Sequence, residues 1–160
     1  MHRLRRFLSL ERKDRHLVLE AVVRLSLARL AVAGVPFRRL ASTLGRHRAE
    51  SSRPPGPDQR QEVKRVAWAV DAVGTHLPWH STCLTRAVAG QWMLRRRKLP
   101  ATLYLGTTRD TSSGELLAHA WLQSGEQVLL GEAELDRGYS VVSSFAGDQD
   151  PPTPSVVSEP

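Results

Sequence analysis

The sequence is short of several features, and each shortage excludes a class of protein. A single cysteine, Cys83, excludes an internal disulfide and a cysteine-rich zinc site, and it favours a cytoplasmic protein. No HExxH or CxxC spacing and no glycine-rich phosphate loop occurs, so we expect neither a metal nor another cofactor. The most apolar stretch, 17–35, contains Glu20, Arg24 and Arg29, which argues against a membrane span. No small-residue cleavage site follows closely, so a signal peptide is not expected.

The composition is that of one globular domain with a small extension: 160 residues, of which 41% are hydrophobic. Charge is uneven, with 13 Arg/Lys against 4 Asp/Glu in 1–53, 8 against 3 in 54–100, and 2 against 9 in 101–160. The basic first third is either a solvated face or a surface for an acidic partner, an anionic membrane or nucleic acid. The predicted helix in this segment has an apolar face that is as prominent as its positive charge. We therefore favour docking of partner proteins and expect no binding of nucleic acid.

Hydrophobic periodicity predicts helices first and strands after them. Apolar spacings of three and four predict a helix from Arg12 that breaks at Gly34 and Pro36. Three further helices are predicted: a short basic one at 37–44, one capped by Asp58, and one that starts near Cys83 and ends in the cations of 95–98. Predicted strands are 101–106, 118–123 and 127–132, the last two forming a hairpin. We therefore expect an α+β fold with a small antiparallel sheet.

The same patterns divide the chain into four parts. An N-terminal helical extension, 1–48, is followed by a linker, 49–58, that is rich in Pro, Gly and Ser. A core of helices and strands occupies 59–146. The last part, 147–160, is an acidic tail with four prolines, which we expect to be disordered.

Cys83 and His119 are the residues best suited to chemistry. The predicted helix start at Cys83 offers unpaired N–H groups and a dipole that stabilise a thiolate. His119 lies on a predicted strand, and a neutral imidazole beside a thiol is the usual way to activate it. A two-residue turn at 125–126 would place Glu132 directly opposite His119, and a turn at 124–125 would place it diagonally on the same face. Glu132 is therefore the preferred acidic partner.

Other assignments stay open on the residues alone. Glu134 and Asp136 are the second and third choices for the acid, because a bulge or a strand end near Gly131 would bring either inward. A lone cysteine is more often a small buried apolar residue than a nucleophile. His119 could equally be a core histidine with satisfied hydrogen bonds, and His80 competes for its role.

Four segments carry a resemblance to a known family. They are Ser81-Thr82-Cys83-Leu84-Thr85-Arg86-Ala87, Leu94-Arg95-Arg96-Arg97, Leu103-Tyr104-Leu105-Gly106 and His119-Ala120-Trp121-Leu122. These segments resemble the transglutaminase-like cysteine peptidases of lasso-peptide biosynthesis, the stand-alone leader peptidases of the microcin-processing type. The resemblance extends over about residues 7–145, because the opening helix that ends in 36–40 is similar to the family's N-terminal extension.

The resemblance implies a papain- or transglutaminase-like core in which a helix bearing Cys83 packs on a small antiparallel sheet. It implies that Cys83 attacks a peptide carbonyl, that His119 shuttles protons, and that an acid, commonly Asp, orients the histidine. This chain has Glu132 where that Asp is expected.

The resemblance also implies partners. A separate PqqD-like protein, a RiPP recognition element, binds the leader of a ribosomally made precursor peptide, and the peptidase removes that leader. An asparagine-synthetase-like cyclase then closes the macrolactam. The same fold also permits acyl transfer to an amine in place of water.

Overall fold

A computed structural model describes residues 11–51 and 53–147 of the chain. The predicted disordered tail lies outside the described residues from position 148 onward. No helix in the described part of the chain is both long and apolar enough to cross a bilayer.

Among the described residues, four α-helices occupy the first two thirds of the chain, as the periodicity predicts. They are α1 (Arg12–Gly34), α2 (Phe37–Leu44), α3 (Pro57–Gly74) and α4 (Cys83–Arg96). The chain leaves α1 at Val35, which is extended because a residue before proline avoids the helical region. The predicted cap at Asp58 is wrong. Pro57 occupies the first helical position, where its fixed φ fits, and the backbone N–H of Gly56 donates to Gln59 Oε1 at 3.0 Å.

In the part of the chain that the structure describes, five antiparallel strands form one sheet, which confirms the α+β expectation. In chain order they are β1 (Arg46–His47), β2 (Thr102–Arg109), β3 (Leu116–Ser124), β4 (Gln127–Leu130) and β5 (Ser140–Ala146). Their order across the sheet is β1-β5-β2-β3-β4. Neither β1 nor β5 is predicted from the sequence. The first has only two residues, and the second contains three serines with Val141 and Val142 exposed, which hides the alternation.

One hydrophobic core joins the helices to the sheet. Helix α4 approaches the strands closely at Gly90, where a Cβ atom would lie 2.8 Å from Leu122 Cδ2 and 2.9 Å from Leu130 Cδ1. Helix α1 belongs to the same core, because Leu25 and Ala28 are fully buried in it. The described residues between β1 and α3 form no helix or strand, and the division of the chain at 49–58 stays a prediction.

The charged residue that interrupts the apolar stretch of α1 has a structural role. Glu20 Oε2 accepts a hydrogen bond from Arg97 at 2.6 Å, and Arg96 lies 3.2 Å from Glu20 Oε1. Burial acts to raise the pKa of Glu20, but the hydrogen bond and charge of Arg97, with Arg96 and Arg24, hold that pKa below its ordinary value. The cations at the end of α4 therefore do more than complement the helix dipole, since they also connect α4 to α1.

Candidate active site

Cys83 is the first residue of α4, as the sequence predicts. Thr82 caps the helix: its Oγ1 accepts from the backbone N–H of Thr85 at 3.2 Å and lies 2.9 Å from Thr85 Oγ1. This cap marks where the helix starts and leaves the N–H of Cys83 among the groups with no acceptor inside the helix. The thiol is partly exposed. Its position allows both attack on a substrate and donation of a backbone N–H to a developing oxyanion.

His119 lies in the middle of β3, paired with Gly106 of β2, and only 3% of it is exposed. Its Nε2 atom is 2.8 Å from the carbonyl oxygen of Gly131. A carbonyl only accepts hydrogen bonds, so Nε2 carries the proton in this contact. In the neutral ring, Nδ1 is then the basic nitrogen.

Aromatic rings pack against the imidazole. The Trp121 ring is nearly parallel to His119, with centroids 6.1 Å apart, and the Tyr139 ring is 5.1 Å away at an angle of 37°. Tyr104 stacks on the Trp121 ring at 5.4 Å. Gly106 gives Trp121 its place, because a Cβ atom there would lie 2.8 Å from Trp121 Cζ3. These contacts restrict the rotation of the imidazole.

A cleft of about 640 Å³ brings the predicted site residues together. Its walls come from the end of α3, the start of α4 with the loop before it, β3, β4 and the residues that follow β4. It is lined by Asp71, Ser81, Cys83, Arg86, His119, Leu129, Leu130, Gly131, Glu132 and Ala133. The cysteine, the histidine and the preferred acid therefore share one cavity, although they are far apart in sequence.

Glu132 reaches this cleft by a different route from the one predicted. Ser124 is paired with Gln127, which confirms the two-residue turn at 125–126. The register then shifts, so that Leu122 faces Leu130 and Leu129 is left over as a bulge, and β4 ends at Leu130. The predicted ladder position of Glu132 opposite His119 is therefore wrong.

The chain leaves β4 through Gly131, which has a left-handed φ of 87°, and enters a 3-10 helix over Glu132–Arg137. Glu132 is exposed at the rim of the cleft as the first residue of that helix. The two other acidic candidates, Glu134 and Asp136, follow in the same helix, and Asp136 is exposed. The strand therefore ends just before Gly131, which is one of the two arrangements considered from the sequence. The choice among the three acids stays a prediction.

A polar network in the cleft wall was not anticipated from the sequence. Arg86 Nε donates to Ser81 Oγ at 2.8 Å, and its Nη1 donates to Asp71 Oδ1 at 2.9 Å. Ser81 Oγ in turn donates to the carbonyl of Gly74 at 2.8 Å. The available signal was spacing, because Arg86 is three residues after Cys83 and so lies on the same side of α4. The network joins the end of α3 to the loop that precedes the cysteine.

His80 does not compete with His119 in this structure. Its side chain is exposed, and it does not line the described cleft. Its backbone carbonyl accepts from Arg29 Nη1 at 3.2 Å, and the Arg29 guanidinium lies 5.8 Å from the centre of the Trp79 ring. Helix α1 therefore contacts the loop before Cys83.

Among the described residues, no group of three His, Cys, Asp or Glu side chains is placed to hold a metal ion.

Comparison with known families agrees with this geometry. Residues 31–144 match the transglutaminase-like superfamily, a region that runs from the end of α1 into β5 and contains every residue of the cleft. No curated protein and no solved structure gives a significant match. Enzymes of this superfamily typically use a Cys-His-acid set. The cleft contains a residue of each of these types, namely Cys83, His119 and Glu132. The chain belongs to the transglutaminase-like superfamily.

Proposed function

We propose that this protein is a cytoplasmic cysteine peptidase that removes the leader peptide from a ribosomally made lasso-peptide precursor. The observation that carries the proposal is the placement of Cys83, at the start of α4, in the same cleft as the buried His119. The choice of substrate is supported by the resemblance of the Cys83 and His119 segments to the lasso leader peptidases. The single free thiol is compatible with a reducing compartment.

The chemistry is acyl transfer through a thioester. His119 takes the proton of the Cys83 thiol, and the sulfur attacks the carbonyl carbon at the leader–core junction. The backbone N–H of Cys83 stabilises the oxyanion. The C–N bond breaks as His119 protonates the leaving amine, which frees the N-terminus of the core peptide. Water, deprotonated by His119, then hydrolyses the thioester and releases the leader as a carboxylate.

Glu132 is the acid we assign to this set. Among the described residues that line the cleft, it is the acid that directly follows Gly131, whose carbonyl contacts His119. Its negative charge favours the imidazolium that forms when His119 takes the thiol proton. Because the carboxylate is exposed, we assign it a smaller contribution than Cys83 or His119.

We further propose that α1 docks the PqqD-like recognition protein and that the asparagine-synthetase-like cyclase acts on the released core. Support for the docking surface comes from Leu19, Val23, Leu27 and Leu30, which are between 47% and 68% exposed. Their spacings of four, four and three residues place them on one face of α1. We call these four residues the α1 stripe.

Reconstitution tests the proposed activity. The chain, a lasso precursor and its recognition protein are combined, and the core peptide is measured by mass spectrometry. Cys83→Ala and His119→Ala should each abolish release of the core, while His80→Ala, a neighbouring exposed histidine, should cleave normally. Cleavage by Cys83→Ala at the rate of the wild type would end the proposal.

Two other functions give distinct results in the same experiment. If the leader acyl group is transferred from the Cys83 thioester to an added amine, the leader is released as an amide. Its mass then exceeds that of the hydrolysed leader by the mass of the amine less that of water. If the chain is only a basic binding module, no precursor is cut. Binding to an acidic partner would then weaken with salt and survive the Cys83→Ala substitution.

A further inference from the structure

We propose that Gly131 is a positioning residue for His119, because its backbone carbonyl holds the imidazole in the tautomer that makes Nδ1 the base. This inference rests on the proposed function, since it concerns the histidine that activates Cys83. It assigns to a peptide carbonyl the orienting part that a carboxylate has in a typical Cys-His-acid set.

The first support is the contact itself. Gly131 O lies 2.8 Å from His119 Nε2, which is a good hydrogen-bond distance, and the histidine is almost fully buried. Because the oxygen can only accept, Nε2–H is required for this bond. The Nδ1–H tautomer would place the Nε2 lone pair against the carbonyl oxygen, which is repulsive, and a ring flip would replace the Nε2–H donor by the much weaker Cε1–H donor. The carbonyl therefore selects one of the two neutral forms.

The second support is the shape of the backbone around Gly131. Its φ of 87° lies in the left-handed region, which side-chain-bearing residues rarely adopt. A Cβ atom at this position would lie 2.9 Å from Ala120 O, 3.0 Å from His119 Nε2 and 3.0 Å from Trp121 Cβ. Any side chain would therefore push residue 131 away from β3. The approach of the carbonyl to the imidazole depends on the absence of a side chain.

The third support is the way that β4 ends. The bulge at Leu129 and the strand end at Leu130 release Gly131 from the ladder with β3. In a continued antiparallel ladder, the backbone groups of residue 131 would be directed along the plane of the sheet. Here the left-handed turn directs the carbonyl to the ring of His119 instead.

The contact also serves the charged form of the histidine. When Nδ1 takes the proton from the Cys83 thiol, the ring becomes an imidazolium and Nε2 keeps its own proton. The bond from Nε2–H to Gly131 O then becomes charge-assisted and stronger. The carbonyl thus orients the neutral ring before proton transfer and stabilises the cation after it.

The chain offers a matched control for a substitution at Gly131. Gly138 also has a left-handed φ, of 70°, but a Cβ atom there would meet nothing within 4 Å. Gly138→Ala therefore introduces the same type of backbone strain without crowding His119. Comparing Gly131→Ala with Gly138→Ala isolates the effect of the close approach.

The experiment measures the tautomer by NMR of full-length protein labelled with ¹⁵N at histidine, with the His119 signal identified by its loss in His119→Ala. The rate of Cys83 alkylation by iodoacetamide is measured against pH in the same variants. Wild type and Gly138→Ala should have the Nε2–H tautomer and the same alkylation profile. Gly131→Ala should lose the pure Nε2–H tautomer, and its profile should shift toward that of His119→Ala.

An Nδ1–H tautomer in the wild type would overturn the inference, and this result is independent of whether Gly131→Ala folds. Unchanged tautomer and alkylation profile in a folded Gly131→Ala would overturn it as well. The failure of the proposed function looks different. In that case His119→Ala has the same alkylation profile as the wild type, whatever tautomer the wild type contains.

Discussion

Arg86 Nε donates a hydrogen bond to Ser81 Oγ at 2.8 Å, and this contact joins the first turn of α4 to the loop that leads into Cys83. The same guanidinium binds Asp71 near the end of α3. The nucleophile is therefore placed by two connections, the Thr82 cap within α4 and the Arg86 network between α3 and α4.

A substitution that crowds Arg86 is expected to slow the alkylation of Cys83 and to lower the free energy of unfolding only slightly. In Gly74→Ala the new Cβ would lie 2.9 Å from Arg86 Nε and 3.1 Å from Ser81 Oγ, so the two groups must move. We expect slower Cys83 alkylation and a loss of about 1 kcal/mol in the free energy of unfolding, since the ion pair with the exposed Asp71 contributes little. Urea unfolding and the alkylation rate measure the two effects.

The control for that substitution is Gly34→Ala at the end of α1, where a Cβ atom would meet nothing within 4 Å. It should leave the alkylation rate unchanged and should not destabilise the protein, because alanine is the better helix former. A normal alkylation rate in Gly74→Ala would show that the Arg86 network does not position the cysteine.

The ion pair between Glu20 and Arg97 should make stability depend on pH in the acid range. Although burial opposes it, Arg97 holds the pKa of Glu20 below its ordinary value, so the unfolded chain binds this proton more readily than the folded chain. The contribution of Glu20 is therefore complete above its ordinary pKa of 4.5 and is lost as pH falls through the lower, folded value. Urea unfolding of wild type and Glu20→Gln across this range measures it. The variant should show a smaller decrease in stability on acidification, and an equal decrease would contradict the assignment.

Replacing Glu132 should slow the reaction without stopping it. The Glu132→Gln side chain keeps its size at the cleft rim and loses only a charge that solvent already screens. We expect a decrease in kcat/KM of less than about tenfold, which corresponds to less than about 1.4 kcal/mol. Asp136→Asn, an exposed acid in the same 3-10 helix, is the control and should cleave at the normal rate. Complete loss of cleavage in Glu132→Gln would instead make its carboxylate essential to the proton transfers.

Charges introduced into the α1 stripe should weaken docking of the recognition protein and leave the active site intact. Deletion of the whole N-terminal region is unsuitable, because Leu25 and Ala28 of α1 are fully buried in the common core. In Val23→Glu/Leu30→Glu, both altered side chains are exposed, so folding and Cys83 alkylation should not change. Binding of the recognition protein, measured by calorimetry, should be lost.

The control for the α1 stripe is Leu116→Glu at the start of β3, where the side chain is 67% exposed. It adds one charge at an equally exposed apolar position away from α1 and should bind the recognition protein normally. Unchanged binding by the α1 variant would mean that the recognition protein docks elsewhere.

Local features of the sequence predicted the helices well. The break at Gly34 and Pro36, the helix over 37–44 and the helix start at Cys83 depend on spacing and on residues close to each break. The turn at 125–126 was also one of the two predicted alternatives. The short strand β1 and the serine-rich β5 were missed, because their pairing partners are remote and their own patterns are weak.

The sequence by itself determined the order of the helices, the position of Cys83 at the start of α4 and the presence of His119 on a strand. Each depends on interactions between neighbours along the chain. Only the tertiary structure decided that β4 ends at Leu130, that Gly131 directs its carbonyl at His119, and that Arg86 joins Ser81 to Asp71. These contacts depend on how α3, α4 and the sheet pack in three dimensions, and a bulge of one residue was enough to change the predicted position of Glu132.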